Sequence, residues 1–197
     1  MVSIMPVFRR SDSPVFFCIL ILSLVYSTTA WSDFEVTDIQ ARLSKKTLAI
    51  KGSIDLVLSD KAEEALSKGI PLNVIIDANL VKERSIIWNQ QVANWKLQRN
   101  IRFHALSGQY LVSTITKDQS PDIESFISLQ EALSYMGNID LEDLVLAPEK
   151  LQGANNYLLE LRAFLDIAAL PAPLRPVAYT SRPWHLNSGW TTWKVQR

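Results

Sequence analysis

The strongest constraint on the fold is a regular alternation of apolar and polar residues. Between Leu48 and Leu58 every second residue is apolar or glycine, and most residues between them are polar. A period of two with one apolar face predicts a β-strand that buries one side in a sheet. Between Phe34 and Leu43 the alternation changes phase near Asp38, and this slip predicts a β-bulge.

Further strands are predicted where the alternation returns. It returns in four segments: Leu72–Leu80, Trp95–Ala105, Tyr110–Ile115 and Tyr157–Ile167. Two short helices are predicted from capping pairs, each followed by an apolar stripe and a glycine. The residues are Asp60, Glu63 and Gly69 for the first helix, and Ser128, Glu131 and Gly137 for the second.

Three remaining segments lack a clear period. Thr116–Asp122 is predicted to be a loop, and Asn138–Asn156 is predicted to be rich in loops. The prolines within 170–176 predict an extended edge segment or a connector, because proline cannot donate to a strand ladder. The expected fold is therefore mainly β (α+β), an antiparallel sheet or β-sandwich of five to seven strands with two short helices.

The N-terminal segment has the order of an export signal. Arg9 and Arg10 precede an apolar run, and small residues end at Ala30. This order predicts a signal peptide over residues 1–30, cleaved before Trp31. The alternative is an uncleaved inner-membrane anchor, which would be the only membrane contact. Both interpretations predict a periplasmic location for one β-rich domain over 31–197. Cys18 is the sole cysteine of the chain, so this domain contains none and cannot form disulfides.

Charge and composition exclude some classes of function. The chain carries 20 basic and 20 acidic side chains, so nucleic acid is not an expected partner. The two histidines of the chain, His104 and His185, are weak candidates for the catalytic base of a hydrolase. Ser107 is the serine nearest to His104 in the sequence, and no nucleophile-elbow motif surrounds Ser107. The acidic group Asp140, Glu142 and Asp143 lacks calcium-loop spacing and is expected in a solvated loop. No catalytic residue, cofactor or metal is therefore predicted, and an enzyme is not favoured.

Arg99 stands on an otherwise apolar strand face. It is expected either to extend to water or to pair with a carboxylate such as Asp77 or Asp166. Arg102 and His104 on the opposite face are weaker interaction candidates.

Aromatic residues supply the remaining interaction candidates. Tyr110 lies on the following strand, and Trp184, Trp190 and Trp193 lie close together near the C-terminus. The three tryptophans are expected to cap one end of the sheet, with a partner-binding surface as the alternative.

Four segments resemble a family of exported proteobacterial proteins. They are Ile101–Val112, Phe126–Leu133, Leu170–Arg175 and the tail Trp184–Trp190. The family is known as domain of unknown function 4390, sometimes labelled proline-rich signal peptide protein. The resemblance implies export, a single domain and a proteobacterial origin. It also implies an association with envelope sensing, because relatives are often encoded beside a sensor kinase, whose periplasmic region is one expected partner.

Three functional hypotheses follow. The first is a non-enzymatic periplasmic interaction or accessory protein that serves envelope sensing. The second is a carrier of an apolar small molecule or lipid between sheet layers, since the long apolar strand faces exceed what two short helices can cover. The third is a hydrolase that uses His104 or His185. A lined cavity of roughly 300 Å³ or more would favour the carrier.

Overall fold

The computed structural model describes residues 34–83, 90–115, 122–147, 151 and 156–196. Within these residues there are nine strands, three α-helices and two 3₁₀ turns, Ile167–Ala169 and Arg182–Trp184. The helices are α1 (Asp60–Ser67), α2 (Leu129–Gly137) and α3 (Arg175–Thr180). The strands are β1 (Phe34–Ser44), β2 (Thr47–Leu56), β3 (Leu72–Lys82), β4 (Gln90–His104), β5 (Gln109–Ile115), β6 (Asp122–Phe126), β7 (Asn138–Val145), β8 (Tyr157–Leu165) and β9 (Thr191–Gln196).

All nine strands belong to one curled, mixed sheet with the order β6-β5-β4-β3-β8-β9-β1-β2-β7. Neighbouring strands are antiparallel except β1 and β9, which are parallel. The predicted mainly β fold is confirmed. The predicted strand number and the purely antiparallel sheet are wrong in detail, because three strands of the described chain were not foreseen and β9 runs parallel to β1.

The first two strands form a tightly paired hairpin. Its register shifts between Val36 and Asp38, which confirms the predicted bulge. Gly52 faces this bulge, and a Cβ at that position would overlap the carbonyl oxygen of Asp38. The glycine is therefore required by the close approach of the two backbones rather than by a turn.

Helix α2 connects the two edge strands of the sheet, β6 and β7, and packs against β2 on one side and β5 and β6 on the other. Ser128 caps its first turn by accepting a hydrogen bond from the backbone N–H of Glu131, as predicted. Gly137 is its last residue and lies against the backbone of Ile54, where a Cβ would overlap the carbonyl oxygen. The helix thus closes part of the space between the two edges.

The first helix is capped differently from the prediction. Ser59, not Asp60, is the N-cap, and its side chain accepts a hydrogen bond from the backbone N–H of Ala62. Asp60 is instead the first helical residue. Gly69 follows the helix with a φ of 83°, a left-handed conformation that glycine adopts without strain.

Two segments expected to lack regular structure form strands or a helix. Asn138–Val145 is strand β7, so the loop predicted there is wrong; Asp143 has a φ of 55°, and the pairing of β7 with β2 shifts register close to it. The proline segment contains a turn and then helix α3, in which Pro176 occupies the first turn, where its missing N–H is harmless. The tail forms the 3₁₀ turn at Trp184 and strand β9.

The N-terminal predictions lie outside the described residues. These are the signal peptide over 1–30, its cleavage between Ala30 and Trp31, and the alternative anchor. Most of the loop predicted at Thr116–Asp122 also falls outside them, at 116–121. In the described part of the chain, no helix combines the length and apolar character needed to cross a bilayer.

Candidate functional site

The curled sheet partly surrounds a mainly apolar cavity of about 400 Å³. Its walls come from strands far apart in the sheet order, β3, β4, β8 and the end of β5 on one side and β2 and β7 on the other. The apolar lining residues are Ile50, Ile76, Ala78, Trp95, Leu97, Ile115, Ile139, Leu141, Leu144 and Leu161. A space enclosed by two apolar layers loses dispersion contacts unless a ligand fills it.

Two polar residues of β4, Asn94 and Lys96, also line the cavity. The side chain of Lys96 lies on the outer face of the sheet, where it approaches Asp77, so Lys96 does not extend its charge into the cavity. Strand β5 pairs with β4 only from Gln98 to His104. The cavity therefore borders a stretch of β4 that no described strand covers on its β5 side.

A larger hollow of about 600 Å³ lies elsewhere, between the end of β2 and helix α2. It is an open groove whose lining mixes polar and charged residues, among them Asp55, Glu63 and Gln130, with apolar ones. The cavity inside the sheet, whose lining is mainly apolar, fits a small apolar ligand better, because such ligands are held mainly by burial against apolar side chains.

Arg99 lies where α2 meets β7, beside the cavity and outside its lining. Leu97, the preceding inward residue of β4, lines the cavity. Ile139, the first inward residue of β7, lines it too. The Nη1 of Arg99 donates to the carbonyl oxygens of Tyr135, Met136 and Asn138 at 2.9, 2.8 and 2.6 Å. Carbonyls at a helix C-terminus lack partners within the helix, and a cation there is stabilised by the helix dipole.

The structure corrects the partners expected for Arg99. Asp77 pairs with Arg162, and Asp166 caps the 3₁₀ turn by accepting from the N–H of Ala168, so neither contacts Arg99. Burial lowers the pKa of the Arg99 guanidinium below its usual value, because desolvation disfavours the charged form. Among the described residues no carboxylate pairs with this cation.

A second cluster, on the outer face of the sheet, was not predicted. Arg162 lies 4.5 Å from the ring centre of Phe164 and 4.6 Å from that of Trp190, and it donates to Asp77 at 2.9 Å. Lys96 approaches the other oxygen of Asp77 at 3.8 Å. Alternation along β8 places Arg162 and Phe164 on one face, but the partnership with Trp190 depends on β9, which was not foreseen.

The three C-terminal tryptophans have different environments. Trp184 is buried in the core beside helix α1, and Trp193 is partly buried against the core. Trp190 is 47% exposed and stacks on Arg162. Trp184 is buried as a capping residue would be, Trp193 belongs to strand β9 within the sheet, and Trp190 presents its ring at the surface.

The two histidines are not brought together. His104 Nδ1 lies 3.0 Å from the hydroxyl of Ser107, and the backbone N–H of Ser107 donates to the same nitrogen, within one exposed turn. His185 donates from Nε2 to the carbonyl oxygen of Tyr179 at 3.1 Å. Neither contact supplies the third, orienting group of a hydrolase triad.

The remaining interaction candidates are spread over the sheet. Arg102 is exposed on β4, and Tyr110 packs on Phe103 with ring centres 5.0 Å apart. The acidic group lies on β7, where Asp140 and Glu142 pair with Lys51 at 3.3 and 2.6 Å. No cluster of three or more metal-ligating side chains occurs within the part of the chain that the structure describes.

Comparison with known proteins adds one finding. The model of the family described as Domain of unknown function (DUF4390) matches residues 32–194, a span that contains the cavity, Arg99 and the outer cluster. Neither the curated proteins nor the solved structures include a match.

Proposed function

We propose that this chain, which belongs to the DUF4390 family, is an exported, non-enzymatic accessory protein. Its domain binds an apolar small molecule or lipid chain. The observation that carries the proposal is the cavity of about 400 Å³ inside the curled sheet. Its volume falls in the range of roughly 300–1,000 Å³ that small-molecule sites occupy.

The lining supports an apolar ligand rather than a polar one. Ala78 and Leu161 are buried, and both lie on the inner face of the sheet. The two polar lining residues, Asn94 and Lys96 of β4, direct their side chains to Asn79 and Asp77 on the outer face. Transferring an apolar chain from water into such a space is favourable by about 25 cal/mol for each Å² removed from water.

A cavity-filling variant tests the proposal. Ala78→Phe places a ring in the cavity, and we expect it to reduce the affinity for the neutral fluorophore N-phenyl-1-naphthylamine at least tenfold. The melting temperature should change little, because the ring enters empty space rather than packed core. Fluorescence titration and a thermal melt measure the two quantities.

The matched control is Ala49→Phe, which adds the same bulk to β2 at a half-exposed position next to Ile50. It should keep the affinity of the original chain. Equal affinity of the original chain and a folded Ala78→Phe variant would contradict the proposal, as would a failure of the original chain to bind the fluorophore.

A second candidate function, partner binding for envelope sensing, is favoured by the exposed ring of Trp190. Tryptophan and arginine are the residues that most often dominate protein interfaces, and here Trp190 covers Arg162. The partner proposed is the periplasmic region of a sensor kinase. The cavity and this outer surface are separate, so one domain has room for both functions.

We expect Trp190→Ala to weaken binding of the purified sensor region at least tenfold in calorimetric titration, without lowering the melting temperature by more than a few degrees. Trp190→Phe keeps an aromatic ring over Arg162 and should retain most of the affinity. Undiminished binding by Trp190→Ala would exclude this surface.

A further inference from the structure

The guanidinium of Arg99 is only partly occupied by hydrogen-bond partners among the described residues. Nη1 donates to the three carbonyls at the end of α2. Nε is buried and has no hydrogen-bond partner among the described residues. Nε and Nη2 lie on the same edge of the planar group, and this edge is a fork that matches two oxygens of an oxyanion.

The charge of Arg99 has no carboxylate partner among the described residues, and its one aromatic contact, with the ring of Tyr135 at 5.6 Å from the ring centre, is a weak cation–π contact. The carbonyls at the end of α2 contribute only partial negative charge, about half an elementary charge for a whole helix terminus. The comparable outward arginine, Arg162, has a carboxylate partner in Asp77. A buried cation without a counter-ion is costly, and so is a buried donor without an acceptor.

Arg99 does not itself line the apolar cavity, but residues next to it do. Leu97 lies two residues before Arg99 on the same strand face, and Ile139 follows Asn138, whose carbonyl accepts from Arg99. A molecule with an apolar chain in the cavity therefore has its end group near a guanidinium that lacks an anion.

We propose that Arg99 binds the oxyanion head of an amphiphile, a carboxylate or a phosphate monoester, whose apolar chain occupies the cavity. The inference rests on the proposed apolar-ligand function and specifies the class of ligand. The head group accepts from Nε and Nη2 while Nη1 keeps its bonds to α2. Arg99 then has two roles, since it fixes the end of the helix and recognises the ligand.

Ligands of equal chain length but different head groups distinguish the contribution of the head group to affinity from that of the apolar chain. Dodecanoate, dodecyl phosphate and dodecanol are titrated against the original chain by calorimetry below their micelle-forming concentrations. We expect at least one of the two anions to bind tenfold or more tightly than dodecanol, and their relative affinities identify the head. Equal binding of all three overturns this inference and leaves the proposed function standing, whereas no binding of any of them overturns both.

Two variants test the residue. Arg99→Gln should bring the ratio of anion to alcohol affinity close to one, and Arg102→Gln, on the exposed face of the same strand, should leave it unchanged. A folded Arg99→Gln that keeps the preference for the anion overturns the assignment.

A measurement on the original chain covers the case in which Arg99→Gln does not fold. The proton resonance of Arg99 Nε should shift on addition of the preferred anion and stay in place with dodecanol. An unchanged resonance at saturating anion overturns the proposal.

Discussion

Truncation after Tyr179 is expected to abolish cooperative folding of the domain. The cut removes β9, through which β8 and β1 are joined in the described sheet. It also removes Trp184 and Leu186, which are 6% and 1% exposed. Deleting a buried tryptophan alone costs about 3–5 kcal/mol, against a total stability of about 5–15 kcal/mol. Circular dichroism during thermal melting should show no sharp transition.

The point variant Trp190→Ala is the control for this truncation, because it removes a large aromatic ring from the same segment at an exposed position. It should melt cooperatively. A truncated chain with the melting temperature of the original would show that β9 and Trp184 contribute nothing to stability, and the capping interpretation would then be wrong.

Ile54→Asp is expected to unfold the domain or to leave it marginally stable. Ile54 is 3% exposed on the inner face of β2, and its backbone contacts Gly137 at the end of α2. A carboxylate on this buried apolar face loses its hydration, and burying a charge without a well-placed partner costs several kcal/mol. Urea unfolding followed by tryptophan fluorescence measures the loss.

Ser53→Asp places the same charge one residue earlier, on the outer face of β2. Ser53 is exposed, and its hydroxyl contacts that of Thr37 at 3.0 Å, so the expected cost is below about 1 kcal/mol. Equal unfolding midpoints for the two variants would contradict the register of β2.

Strands with one buried and one more exposed face were predictable because apolar and polar residues alternate along their sequences. β2 and β8 are of this kind, and the phase slip near Asp38 located the bulge. Strand β7 was not predicted because this alternation is interrupted along its sequence. Its register against β2 shifts between Leu141 and Leu144, so the inward residues do not keep a period of two. Its three carboxylates also suggested a loop, whereas two of them pair with Lys51 across the strands.

The candidate site was only partly predictable. The excess of apolar strand surface suggested a ligand between layers, and Arg99 was singled out as a charge on an apolar face. Its partners are backbone carbonyls of α2, and no sequence pattern specifies which carbonyls a distant arginine will reach. The cluster of Arg162, Phe164 and Trp190 required the position of β9, which depends on the folding of the entire sheet.

The place of β9 in the sheet has a consequence for the timing of folding. β9 follows the other eight described strands in the chain, yet it lies between β8 and β1 and joins the two halves of the sheet. Closure has to wait until residues 191–196 are available, and the pairing of β1 with β9 spans more than 150 residues. Contacts so distant in sequence form slowly. A chain threaded through a membrane from its N-terminus would therefore remain open until nearly all of it had crossed, and this order of folding is compatible with the export that we propose.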